Sequence, residues 1–246
     1  MLFRSLREVA GALAAAGQWE EARAVVEAIA DPLRRAWALW AVAGALALAG
    51  DTQAVQATFA AARAVAETIA DPRERARALG EVAGALAWTG RWDDARAVAE
   101  TIADPFWRAW ALGEVAGALA WTGRWDDARA VAETIADPDK RAEALQEVAG
   151  ALVRAGRWDD ARAVAETIAD PEARAWALRE VAVTLINVGQ IDDAMALLVS
   201  AWARAQTVDE LTRLFVVDAA LLRAYPTLGG DLPEAFNWVE RVVRAG

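Results

Sequence analysis

Paired carboxylates recur along this chain: Asp93-Asp94, Asp126-Asp127 and Asp159-Asp160 each follow a tryptophan in the string G-R-W-D-D-A. Two adjacent acids are the residue types of a general acid and base. Here each pair opens a predicted helix, where a carboxylate meets the positive end of the helix dipole. Repetition of the pair in copy after copy fits a helix start better than one reacting centre. The other carriers of chemistry are missing. With no His and no Cys among 246 residues, the chain lacks thiol nucleophiles, sulfur ligands, the commonest general base and the commonest metal ligand. No G-x-x-x-x-G-K-[ST] phosphate loop occurs either. The sequence therefore predicts a non-catalytic protein, with no catalytic residues, no metal site and no cofactor.

What is abundant is tryptophan, 13 residues of it, beside 36 acidic and 26 basic side chains and a formal net charge of −10. That charge opposes nucleic-acid binding, which rests on Lys and Arg neutralising phosphates; Lys140 is the only lysine. The longest uncharged run, Ala36 to Gly50, is too short to span a bilayer. The N-terminal order of Arg followed by apolar residues is broken by Glu8, so it reads as helix and not as a signal peptide. No nucleic-acid partner and no membrane partner are expected, and the expected location is cytoplasmic.

The elements that carry these residues are marked by Asp-Pro: Asp31-Pro32, Asp71-Pro72, Asp104-Pro105, Asp137-Pro138 and Asp170-Pro171, one step of 40 residues and then steps of 33. A fixed period in this range means stacked supersecondary units. Asp caps the free N–H groups of a helix start, and Pro sits at the first helical position. A first helix (helix A) runs from each Asp-Pro to a glycine such as Gly123. Helix B opens at Trp-Asp-Asp and runs to about Ile135-Ala136. Each helix carries one apolar stripe: Leu112, Val115, Ala116 and Leu119 on helix A, and Trp125, Ala128, Val131, Ala132 and Ile135 on helix B. Short connections make the two helices antiparallel. A hairpin cannot bury both stripes alone, so hairpins stack. In the second copy, QAVQATFAAARAVAETIADP adds seven residues to helix B.

The turn G-R-W-D-D-A (Gly90–Ala95, Gly123–Ala128, Gly156–Ala161, and in weaker form Gly17–Ala22 and Gly189–Ala194) resembles the Gly-x-aromatic-acidic-acidic-Ala turn of tetratricopeptide repeats. The period is 33 instead of that family's 34, and the aromatic-glycine signature of helix A is not kept. The resemblance implies an all-α fold: a right-handed superhelical α-solenoid of stacked antiparallel helix pairs. Five to six repeats would fill residues 1–206, with boundaries near 32, 72, 105, 138 and 171. Non-repetitive capping helices would fill 207–246, all in one continuous domain. A looser likeness, in Ala-rich copies ending T-I-x-D-P over roughly residues 1–195, is to sensor regions of bacterial signalling or defence proteins with nucleotide-binding modules. Met1 falls inside the phase of a first helix A, so the chain reads as cut from a longer one or as packing that end (Leu2, Phe3, Leu6) on another copy. Natural duplication and engineering both account for copies this alike.

Copies within the chain can be compared position by position. Residues 78–105 and 111–138 are identical, while RERAR at 73–77 becomes FWRAW at 106–110. Trp19, Trp92, Trp125 and Trp158 keep one place at the start of helix B and read as structural core. On helix A, three positions vary. They read Arg4, Trp37, Arg77, Trp110, Glu143, Trp176; then Arg7, Trp40, Gly80, Gly113, Gln146, Arg179; then Ala15, Leu48, Trp88, Trp121, Arg154, Asn187. A buried position rarely accepts Arg, Trp and Glu in turn. In a tetratricopeptide-like stack this face of helix A lines the concave groove, which makes a partner groove of Trp37, Trp40, Arg77, Trp88, Trp107, Trp110, Trp121, Glu143, Arg154, Trp176 and Arg179. The expected function is a scaffold holding a protein or peptide, possible partners being an extended segment or a helix. The alternative is a structural, self-assembling solenoid joined through Trp faces or its N-terminal end. Gly84, Gly117 and Gly150 on the same face fit either a trough for a ligand backbone or close approach of helices. Glu8, Glu81, Glu114, Glu147 and Glu180, with Arg35, Arg75, Arg108, Arg141 and Arg174, suggest ion pairs between repeats or, for the glutamates, pairing with a basic ligand.

Overall fold

A computed structural model of the chain describes residues 2–202. The regular elements among them are all helices: α1 (Leu2–Ala15), α2 (Trp19–Glu27), α3 (Pro32–Ala49), α4 (Thr52–Glu67), α5 (Pro72–Trp88), α6 (Trp92–Glu100), α7 (Pro105–Trp121), α8 (Trp125–Glu133), α9 (Pro138–Arg154), α10 (Trp158–Glu166), α11 (Pro171–Asn187) and α12 (Ile191–Trp202). The described residues form an all-α fold of helix pairs. The region assigned to capping helices, 207–246, lies outside the described residues, as do the side chains of Leu2 and Phe3. Two compact units divide between Arg141 and Ala142, and each is taken by itself.

Every Asp-Pro opens a helix as its chemistry requires. Asp31, Asp71, Asp104, Asp137 and Asp170 each accept a hydrogen bond from the backbone N–H three residues on, at 2.8, 2.8, 3.0, 2.9 and 2.6 Å. Helix A of the clearest pair stops at Trp121. Arg124 N–H then reaches back to the Leu119 carbonyl at 2.9 Å while Gly123 takes φ +82°. That left-handed residue turns the chain toward helix B and suits only glycine without strain.

Helix B ends sooner than its apolar spacing suggests. α8 closes at Glu133 and not at Ile135-Ala136. The Thr134 hydroxyl donates to the Val131 carbonyl at 2.6 Å, and the Ile135 N–H bonds Ala132, three residues back. The last turn is thus tightened and the helix stops. Ile135 is still fully buried, as are Ile102 and Ile168, so apolar spacing continues past the helix that it marks. Burial of such a side chain is worth about 1.5–3 kcal/mol. The predicted extension of the second helix B is present: α4 has 16 residues where α6, α8 and α10 have nine.

In the first unit α1, α3, α5 and α7 lie side by side, each packed on its own helix B (α2, α4, α6, α8). Flanked in this way, α5 and α7 are buried on most faces and not on a single stripe. In α5 the buried residues are Ala76, Ala78 to Gly80 and Val82 to Ala87. The many alanines and glycines are what let four neighbours, α3, α4, α6 and α7, come close. In the second unit α11 packs against α10 and α12.

Four of the regular arginines reach main-chain carbonyls. Arg35, Arg75, Arg141 and Arg174 each donate to the backbone carbonyl six residues back, of Ile29, Ile69, Ile135 and Ile168, at 2.7 to 3.1 Å. Each ties the start of one helix A to the end of the helix B before it. Arg108 instead lines a pocket of about 250 Å³ with Glu100, Leu112, Thr134 and Asp137. Exposed ion pairs are local, such as Arg96–Glu100 and Arg129–Glu133, four apart on helix B.

Candidate binding face

The variable positions of helix A fall into two groups in the first unit. Leu48, Trp88 and Trp121, at the C-terminal ends of the neighbouring helices α3, α5 and α7, are 94%, 53% and 63% exposed. Adjacent packed helices lie about 8–10 Å apart, so these three side chains make a short apolar row. Arg77 is also exposed.

Trp37, Trp40, Trp107 and Trp110 are half-buried, because a neighbouring helix or side chain covers each. Trp110 lies across Gly80: a Cβ placed there would stand 3.2 Å from Trp110 Cε3. Trp110 also meets Trp107 edge-on at 5.8 Å, and Trp107 meets Phe106 edge-on at 5.4 Å. Guanidinium groups cover the older rings. Arg7 sits 5.0 Å from the Trp40 ring, and Arg77 sits 5.1 Å from Trp37 and 6.0 Å from Trp107. The Trp37 indole N–H is buried with no hydrogen-bond partner. Much of the rewritten FWRAW segment is therefore a joint between α5 and α7. The row at the far ends of the same helices stays open.

A Cβ at Gly84 would stand 3.6 Å from Glu114 Cβ, an ordinary packing distance. Glu114 in turn accepts the indole N–H of Trp88 at 3.1 Å. Its counterpart Glu81 is half-buried and receives no hydrogen bond among the described residues. Burial pushes the Glu81 carboxyl above the usual glutamate range; Arg77 pulls it back, Glu114 adds to the rise and Arg7 opposes it. Two carboxylates and two guanidiniums thus share the middle of this face.

In the second unit Glu143, Arg154 and Trp176 are exposed and Arg179 is half-buried, its Nε enclosed without a hydrogen-bond partner. Gln146 donates to the Ala173 carbonyl at 3.0 Å. The tryptophans expected as core, Trp19, Trp92, Trp125 and Trp158, are half-buried. Each stands in the first turn of a short helix, with one ring edge toward solvent. Trp92, Trp125 and Trp158 turn their ring tips onto the turn glycines Gly90, Gly123 and Gly156, 3.6–3.8 Å from where a Cβ would be. Arg124 covers the Trp92 ring at 4.4 Å.

Sequence comparison of the copies missed the Trp37–Arg77–Trp107 sandwich. Part of its signal is the change from Trp37 to Arg77 at one position in successive copies; Trp107 stands three residues before the matching position, Trp110. Among the described residues no group of acidic side chains is placed to hold a metal ion, and no helix is long and apolar enough to cross a membrane.

No protein-family model matches the chain, and no curated protein does. Similar solved structures include Ton1535 from Thermococcus onnurineus NA1, at 13% identity and a TM-score of 0.37, covering 88% of this chain and 91% of that one. A Podosopora anserina protein with nearly identical TPR-like repeats is 19% identical, at a TM-score of 0.38 and coverage of 71% and 96%. A variant of that protein gives 0.39.

Proposed function

We propose that the chain is a non-catalytic scaffold that binds a protein or peptide through the exposed ends of its first helices. In the first unit the docking row is Leu48, Trp88 and Trp121, with Arg77 at its edge; in the second, Trp176 with Glu143 and Arg154 offers a face of the same kind. Trp37, Trp40, Trp107, Trp110 and Arg179 support these faces from beneath. One observation carries the reading. The position read as Ala15, Leu48, Trp88, Trp121, Arg154 and Asn187 changes from copy to copy while the core does not, and two of its residues are exposed tryptophans. Large exposed aromatics cost solubility and are the residue type of binding hot spots. A finer form of the reading, a sensor region of a bacterial signalling or defence protein in the cytoplasm, rests on the Ala-rich copies ending T-I-A-D-P.

The test is the double variant Trp88→Ala, Trp121→Ala. Exposed substitutions usually change stability by about 0.5 kcal/mol or less, and loss of the Trp88–Glu114 bond adds about 1 kcal/mol. Circular dichroism should therefore show unchanged helicity and a melt lowered by only a few degrees, while affinity capture from the source lysate loses the partner. Capture equal to that of the parent would sink the proposal. Light scattering separates the runner-up, since a row used for self-assembly gives a concentration-dependent oligomer that the same variant dissolves.

A further inference from the structure

The exposed row lies where each first helix turns into its second, and the charges of those turns share one sign. α3, α5 and α7 carry no basic residue in their last turn. The helix dipoles offset one another there, because the C-terminal end of one helix meets the N-terminal end of the next. The side chains do not offset. Arg91 is held by Asp94 at 2.8 Å and Arg124 by Asp127 at 2.7 Å, which leaves Asp93 and Asp126, both exposed, in excess. The turn after α3 has the exposed Asp51 and no arginine. Each turn beside Leu48, Trp88 and Trp121 thus adds one net negative charge, on a chain whose formal net charge is −10. Arg77, at the edge of the row, lies about three turns away along α5 and already covers Trp37 and Trp107.

Trp88 narrows what can answer that charge. Its indole N–H is taken by the Glu114 carboxylate at 3.1 Å, yet the side chain is 53% exposed. What it offers a partner is ring face, and a ring face attracts cations. Other tryptophans of the chain are already used in this way: Arg7 lies 5.0 Å from the Trp40 ring and Arg124 lies 4.4 Å from Trp92. We infer that the row receives an arginine-bearing segment of a partner protein, with guanidinium groups on the faces of Trp88 and Trp121 and their charge balanced by Asp51, Asp93 and Asp126. The inference deepens the reading of this row as a docking surface and rests on it. An acidic segment would meet three carboxylates of its own sign, and a purely apolar one would leave them unanswered. A planar guanidinium stacks on a ring better than a strongly hydrated ammonium does, which favours arginine over lysine.

The test is fluorine NMR of the full chain labelled with 5-fluorotryptophan and titrated with a capped peptide of alternating arginine and glycine. The Trp88 and Trp121 resonances, assigned with Trp88→Leu and Trp121→Leu, should shift saturably. The same peptide with citrulline for arginine keeps the planar side chain without the charge, and should bind roughly five- to tenfold more weakly. Its glutamate counterpart should not bind, and affinity for the arginine peptide should fall as added salt screens the turns. Each leucine variant, read on the ring that remains, should lose about threefold. Trp88→Leu also sets the Glu114 carboxylate free, so a site that worked by carboxylates alone would bind more tightly instead. Equal affinity for the arginine and citrulline peptides, or leucine variants that bind as well as the parent, would overturn the inference. The partner itself separates the two readings. If the peptides do not discriminate but Trp88→Ala, Trp121→Ala still loses the partner, the arginine segment is wrong and the docking row stands. If the double variant captures normally, the row is wrong and the arginine segment falls with it.

Discussion

A tryptophan on these helices has one of two fates, and the neighbouring helix decides which. Trp110 meets a glycine at position 80 and lies down across it; Trp121 sits about three turns further along the same helix and stays largely in solvent. Comparing copies in the sequence identified both as variable positions, but variability does not measure depth. A position can change from Arg to Trp because it faces a ligand, or because a guanidinium and an indole each cover a ring on the next helix. Arg77 over Trp37 is the second case. Glu81 offers a test at this scale. Its carboxyl titrates higher in the folded chain than in the unfolded one, chiefly through burial, so the folded state holds the extra proton. The resulting contribution to stability is complete below the unfolded-state value and is lost as the pH rises through the folded-state value. Glu81→Gln removes that loss. Thermal melts of the variant and parent should therefore diverge in the variant's favour as the pH rises from acid to neutral, and a difference that stays flat or reverses would contradict the assignment.

At the scale of the element, helix starts were readable and helix ends were less so. Asp-Pro states both halves of a start, a carboxylate for the free N–H groups and a ring that needs no donor, and all five mark one. Ends depend on backbone geometry that apolar spacing does not report. Ile135 keeps the spacing of α8 and is fully buried, yet it lies beyond the helix because Thr134 and the tightened last turn close it at Glu133. The same limit applies to the stripes: a periodic reading shows one face, whereas α5 is covered by four helices. Gly123 is the element whose geometry is most exacting, with φ at +82°. Gly123→Ala places a Cβ in the left-handed region at a cost of about 1–2 kcal/mol, while the Trp125 Cζ2, 3.6 Å from that Cβ, stays in ordinary contact. Denaturant unfolding should show that loss, and an unchanged midpoint would mean the turn can rearrange.

For the whole molecule, the repeat suggests stability built from neighbour to neighbour. Removing residues 105–137 joins Asp104 to Pro138 and so rebuilds an Asp-Pro start with the same cap. The shortened chain should fold with the parent's helicity per residue and melt lower, as measured by circular dichroism, and a disordered or aggregated product would show that the copies are not interchangeable. The composition carried the class of fold from the outset, since alanine-rich copies point to packed helices. It could not give the contacts that order those helices. The arginine at the joint has a consequence beyond stability. In four of its five positions it grips a main-chain carbonyl, a group that every amino acid carries. A joint made this way does not read the side chains on either side of it. At this one contact copies can be duplicated, lost or exchanged without a compensating change, whereas the Trp110–Gly80 pairing has to travel with both its partners.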